Sequence, residues 1–234
     1  MKRPVIISLM LLLLPQLASA IDNDVQLWTE AGLRYKINKQ LRLKFDQHFR
    51  LHNDVSEPES IMPELAISYR VFKALRLQAG YRLVGEFYKY NGETYISDWH
   101  RFYADVRLRL RFKPVTLRYR LRFQEQTGWD YDPDGDKKVP KNKLTLRNKI
   151  TLQLKYPYGF MQFLSVELFN RLADEVRAWH KLRTSLGLRY SIKSHEFTIA
   201  YRLESYLFND PNGEVTHQKG DMNHVLSLGY HYSF

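Results

Sequence analysis

The segment VRLRLRFKPVTLRYRLRF, residues 106–123, carries an arginine at nearly every second position on both sides of a single Lys-Pro break. A period of two belongs to a β-strand, whose successive side chains point to opposite faces. The arginines therefore share one face, and Val106, Leu108, Leu110 and Phe112 share the other. A two-residue loop at Lys113-Pro114 pairs Phe112 with Val115, Leu110 with Leu117, Leu108 with Tyr119 and Val106 with Leu121, which keeps every apolar residue on one side. The same register sets Arg109 against Arg118 and Arg107 against Arg120. Like charges directly opposite destabilise a strand pair. The ladder of Arg107, Arg109, Arg118 and Arg120 thus calls for carboxylates from across an enclosed interior, for water, or for a bound anion.

The alternation recurs along the chain. Val25, Leu27, Thr29, Ala31, Leu33 and Tyr35 share a face; Leu41, Leu43, Phe45, Phe49 and Leu51 do so opposite Arg42, Lys44, Asp46, His48 and Arg50. Further alternating segments run over 65–71, 75–83, 144–154, 164–168, 182–190, 197–203 and 226–234, so that eleven can be read with the opening hairpin. A three-residue loop at 72–74 pairs Glu64 with Arg82 and Ser68 with Gln78.

Both ends of the chain point to export. Residues 1–20 have the build of a secretory signal, with Lys2 and Arg3, an apolar run from Val5 to Leu14, Pro15 and an Ala-Ser-Ala ending at Ala20. The run is about half the 20 apolar residues a membrane-spanning helix needs, and we expect cleavage after Ala20, leaving 21–234 as one domain. The chain has no cysteine, which removes a lipoprotein anchor, disulfides, thiol catalysis and Cys-ligated metals. At the other end, Leu226, Leu228, Tyr230, Tyr232 and Phe234 alternate up to a terminal Phe. Tyr230, Tyr232 and Phe234 resemble the carboxy-terminal assembly signal of bacterial outer-membrane barrels.

Strands of about 9 to 11 residues, apolar on one face and polar on the other, suit a lipid-facing barrel wall. A soluble sandwich shows the same alternation but buries its apolar face. Connector length favours the barrel: short near 37–40, 72–74, 113–114, 156–160 and 191–195, longer at 52–60, 88–97, 127–142, 172–178 and 205–222. Phe72, Phe112, Tyr156, Tyr158 and Tyr190 lie beside the short turns, where interfacial aromatic girdles form. The expected fold is an all-β, up-and-down antiparallel transmembrane barrel with short periplasmic turns. Single-chain bacterial barrels usually have an even strand number and both ends periplasmic, whereas eleven segments leave residue 24 on the outer side. We therefore expect ten to twelve strands, with twelve preferred on parity.

The 36 basic and 25 acidic residues give +11, which becomes +9 when Lys2 and Arg3 leave with the signal. Nucleic-acid binding is the first thought for such a chain, but these basic residues alternate with apolar ones instead of clustering with stacking aromatics, so no nucleic-acid partner is expected. The charges are expected to line a lumen and to pair there, with Glu64, Asp105, Glu167 and Glu204 as counter-charges. An excess of positive charge in a lumen attracts anions. Among catalytic arrangements the best candidate is His48 with Glu64 and Ser68 on adjacent strands, which requires the imidazole within about 3 Å of the hydroxyl. Asp130, Asp132 and Asp134 open like a calcium loop, but Lys141 occupies the position where a bidentate Glu belongs, so a solvated turn is the better account. Asn91-Gly92 reads as a hairpin tip carrying two strands beyond the membrane.

The stretches DVQLWTEAGLRYKINKQLRLKFDQHFR, ELAISYRVFKALRLQAGYRL, LTLRNKITLQLKYP and FNRLADEVRAWHKLRTSLGLRYSI resemble the domain-of-unknown-function 2490 family of bacterial outer-membrane proteins over nearly the whole chain after residue 20. The resemblance implies a monomeric barrel of Gram-negative bacteria without an assigned activity or agreed catalytic residues. The expected partners are outer-membrane lipids, lipopolysaccharide and the barrel-assembly machinery, and no cofactor is expected. A narrow, anion-preferring channel or an envelope structural protein is the leading expectation. An outer-membrane lipid- or peptide-modifying barrel enzyme is the alternative.

Overall fold

A computed structural model describes residues 24–90, 93–131, 138–172, 179–207 and 222–234. The described residues form eleven strands: β1 (Val25–Lys36), β2 (Leu41–His52), β3 (Glu57–Arg70), β4 (Leu75–Tyr90), β5 (Glu93–Phe112), β6 (Val115–Tyr131), β7 (Lys138–Lys155), β8 (Phe160–Arg171), β9 (Trp179–Ile192), β10 (His195–Tyr206) and β11 (Met222–Ser233). Each strand pairs with its neighbours in sequence, and β1 closes on β11 to complete a barrel. All pairs are antiparallel except β1 with β11, which is parallel from Val25↔His224 to Arg34↔Ser233.

The strand number is eleven, within the expected range but not the twelve that parity preferred. Each hairpin reverses the chain, so an odd number leaves first and last strands running the same way, and the barrel closes through the parallel pair of β1 with β11. Residue 24 consequently lies at the long-loop rim, where the Asp24 carbonyl accepts the His224 N–H at 2.9 Å. Phe234 lies at the short-turn rim, its N–H donating to the Arg34 carbonyl at 2.9 Å.

The hairpin at Lys113-Pro114 has the expected register, including Arg109↔Arg118 and Arg107↔Arg120. That of the 71–74 turn also follows, with Glu64↔Arg82 and Ser68↔Gln78. On the long-loop side three connectors shrink. β2 and β3 join through 53–56 alone, β4 and β5 pair up to Tyr90↔Glu93, and β6 and β7 pair up to Tyr131↔Lys138. β4 to β7 accordingly run 16 to 20 residues against 12 to 14 in the others, so one side of the barrel stands taller.

Period-two alternation now has a physical meaning on every strand. The outward faces carry exposed Leu43, Leu65, Ile67, Val106, Leu110, Ile150, Leu164 and Ile199, with Leu65 61% exposed. Exposed Tyr35, Tyr69, Phe72, Phe112, Tyr156, Tyr158, Phe160 and Phe234 gather at the short-turn rim. Inward faces are mostly polar. Apolar side chains interrupt them in places, among them Trp28, Phe169 and a cluster of Met62, Val84 and Trp99 toward the long-loop side.

Candidate functional site

Inward parity puts Glu64 on β3, Asp105 on β5, Glu167 on β8 and Glu204 on β10 inside the barrel, each at most 2% exposed. Carboxylates so deeply enclosed need cations, because an unpaired buried charge costs several kcal/mol. Glu167 draws them from three strands: Arg120 of β6 at 2.5 Å, Arg147 of β7 at 2.7 Å, Lys149 of β7 at 3.7 Å and Arg183 of β9 at 3.7 Å. The Arg120 contact passes over β7 altogether, so it is a chord across the interior and not a neighbour contact. Glu204 is paired with Arg183 and with Lys181 at 3.2 Å. Asp105 accepts from Arg122, directly opposite on β6, at 2.6 Å, and from Arg107 at 2.6 Å.

Glu64 is paired with Arg82 and accepts the Tyr103 hydroxyl at 2.6 Å, another chord, from β5 over β4. Inward aromatics stack on the guanidinium groups and fill the remaining space. Arg122 lies 3.7 Å from the Tyr103 ring centroid, Arg147 4.4 Å from Phe169, and Arg50 and Arg183 lie 3.8 and 5.0 Å from Trp28. Such contacts are worth about 0.5–2 kcal/mol each.

Tyr103 fits because the residue opposite it is Gly80. A Cβ at Gly80 would lie 2.3 Å from Tyr103 Cζ, and the ring is fixed by Glu64, by Gln78 at 3.0 Å and by the stacked Arg122. Gly80→Ala is expected to destabilise the fold by about 1–3 kcal/mol, the usual cost of overpacking, read as a lower urea midpoint. An unchanged midpoint would show that the ring is free to move.

The four ladder arginines all face inward, and they divide. Arg107 and Arg120 reach Asp105 and Glu167. Arg109 and Arg118, nearer the short turns, have no carboxylate within 4.0 Å among the described residues, and Arg118 Nε is buried without an acceptor. Glu64 and Glu204, expected as counter-charges for the ladder, instead hold Arg82 and Arg183. The sequence reading did not single out Trp28, Arg122, Arg147 and Arg183. Arg122 was within its reach, since the register that opposes Arg107 to Arg120 also opposes Asp105 to Arg122.

A second inward group lies at the β1–β2–β11 seam. His231 Nε2 is 2.6 Å from Glu30 Oε1 and 3.4 Å from Asp46 Oδ1, and His48 Nδ1 is 3.4 Å from Glu30 Oε2. Glu30, Asp46 and His231 offer ligand atoms within 4.8 Å of one another, the spacing a metal ion would need. Lys44 already lies against Asp46, however, and His231 Nε2 against Glu30, so protein groups stand where such an ion would sit. His48 pairs across strands with Met62, whereas Ser68 pairs with Arg42. Six residues along β3 amount to about 20 Å, so the hydroxyl is far from the imidazole, and Ser68 Oγ instead accepts Arg76 at 3.1 Å. Asp132 and Asp134, and the side chain of Asp130, lie outside the described residues.

At the carboxy terminus, Tyr230 and Tyr232 face outward, and the Phe234 ring lies 4.7 Å from Tyr232 and 6.4 Å from Tyr35 of β1. The last residue thus ties the barrel seam. A family model described as "Protein of unknown function (DUF2490)" matches residues 25–214, which spans β1 to β10. Among curated proteins nothing matches the chain.

Proposed function

The chain belongs to the DUF2490 family, whose description assigns no activity, and from the barrel itself we propose an integral outer-membrane protein of a Gram-negative bacterium that is closed at mid-height. The carrying observation is the near-zero exposure of Glu64, Asp105, Glu167 and Glu204, each held by cations from neighbouring or more distant strands. Eight strands leave room only for side chains and 16 to 18 leave an aqueous channel; eleven lie nearer the filled end, and here the side chains meet. An envelope or binding role is therefore favoured over free diffusion of solutes.

Membrane placement is supported by the exposed apolar belt, the aromatic rim and the export-type leader. In that placement the short turns face the periplasm and the tall β4–β7 hairpins rise outside the cell. Outer-membrane lipids cover the belt, lipopolysaccharide meets the long-loop rim, and Tyr230, Tyr232 and Phe234 engage the barrel-assembly machinery of a monomeric protein.

Outer-membrane fractionation and heat-modifiable migration in detergent gels test the placement. Planar-bilayer recordings test the closure, with almost no conductance expected from the unaltered protein. A steady open-pore current, or recovery as a soluble periplasmic protein, would overturn the reading.

A further inference from the structure

The ion pairs that close the lumen leave a set of arginines behind. Arg42, Arg70, Arg76, Arg109, Arg111 and Arg118 lie on five consecutive strands, β2 to β6, each within four residues of the short-turn end. All six have inward parity, and none has a carboxylate within 4.0 Å among the described residues. Arg70 is directly opposite Arg76 and Arg109 directly opposite Arg118. Arg42 Nε and Arg118 Nε are buried without an acceptor. The one lumenal carboxylate at this level among the described residues, Glu196 on β10, is taken up by Arg34 at 3.0 Å and Arg189 at 3.5 Å. Lys39, Lys73, Lys113 and Lys193 crown four of the short turns, and none of the five short turns carries an acid.

A fold has no structural reason to oppose like charges on paired strands and to bury guanidinium donors unsatisfied; both cost stability. An acceptor-rich anion arriving from outside removes both costs. Guanidinium groups bind phosphate oxygens in a bidentate fork, which is why clustered arginine suits phosphate better than chloride. Six cations exceed what one phosphate group neutralises, so the ligand has to carry several. The position on the inner wall, behind the barrel shell, separates the site from lipid headgroups on the outer face. We infer that the short-turn mouth of the barrel is a binding basin for a soluble, multiply charged phosphate compound of the polyphosphate type, seated on Arg42, Arg76, Arg109 and Arg118.

The basin goes beyond the closed-barrel reading and is tested separately from it. The purified, folded full chain is titrated with sodium tripolyphosphate, with ionic strength held constant by sodium chloride. Saturable binding and a raised unfolding midpoint are expected, with orthophosphate weaker. Arg109→Gln with Arg118→Gln is expected to weaken tripolyphosphate binding by about tenfold or more, as lost charge-assisted contacts should, and to raise the midpoint of the ligand-free protein because repulsion is relieved. Arg42→Gln with Arg76→Gln should repeat both effects, and Lys89→Gln, at the far rim, should leave the Kd unchanged. Absence of saturable binding, an unchanged Kd in both double variants, or a lower ligand-free midpoint in both would overturn the inference. Bilayer current from the unaltered protein would overturn closure without touching this result.

Discussion

Glu167→Ala is expected to cost about 3–5 kcal/mol of stability, the price of removing one partner from a buried ion pair. Glu167 is 1% exposed and gathers Arg120, Arg147, Lys149 and Arg183. Without it Arg120, Arg147 and Lys149 converge with no carboxylate within 4.0 Å among the described residues, and only Arg183 keeps one, Glu204. An exposed pair provides the contrast: Glu57 and Lys89, at the long-loop rim, face solvent, and screening leaves such a pair little to contribute. The measurement is the equilibrium urea midpoint of the folded band for Glu167→Ala and Glu57→Ala side by side. A second readout follows from closure, since loosening the central cluster should give bilayer current where the unaltered protein gives almost none. Equal, small losses for the two variants would mean that the interior is wet and the Glu167 cluster screened, and would count against closure.

The part of this molecule legible in its sequence is the part governed by period two. Which side of each strand is apolar, and hence that Arg107, Arg109, Arg118 and Arg120 face inward, follows from alternation alone. Cross-strand partners follow wherever a turn fixes the register, as Lys113-Pro114 fixed Arg109↔Arg118 and also Asp105↔Arg122. Contacts that skip a strand are of another kind. Glu167 meets Arg120 over β7, and Tyr103 meets Glu64 over β4, only because the wall curves, and curvature depends on strand number and closure. The 127–142 stretch read as a loop because Asp, Gly and Lys blur its alternation, yet β6 and β7 remain paired up to Tyr131↔Lys138. Backbone hydrogen bonding extends a hairpin past the point where side-chain pattern reports it. Parity misled for a related reason: evenness is a habit of single-chain barrels, whereas the pairing of β1 with β11 is decided by which ends meet.

A cysteine introduced at Asp24 is expected to react from outside intact cells, together with one at Asn53, whereas a cysteine at Lys73 reacts only after permeabilisation. Eleven strands force this result if the short turns are periplasmic, because parallel β1 and β11 start at one rim and end at the other. Asp24 is held at the long-loop rim by more than its place in the chain: its carbonyl accepts the His224 N–H at 2.9 Å, and its Oδ1 accepts the N–H of Asp54 in the β2–β3 turn at 3.1 Å. Lys73 belongs to the opposite turn, between β3 and β4. The chain contains no cysteine, so a membrane-impermeant maleimide has no background to contend with. The effect is all or none at each position. A twelve-strand barrel, closing antiparallel, would put residue 24 with the short turns and make Asp24→Cys behave like Lys73→Cys. Labelling of Asp24→Cys with Asn53→Cys would instead confine the odd, parallel closure to the seam that Phe234 ties, since its N–H donates to the Arg34 carbonyl at the other end of the same strand.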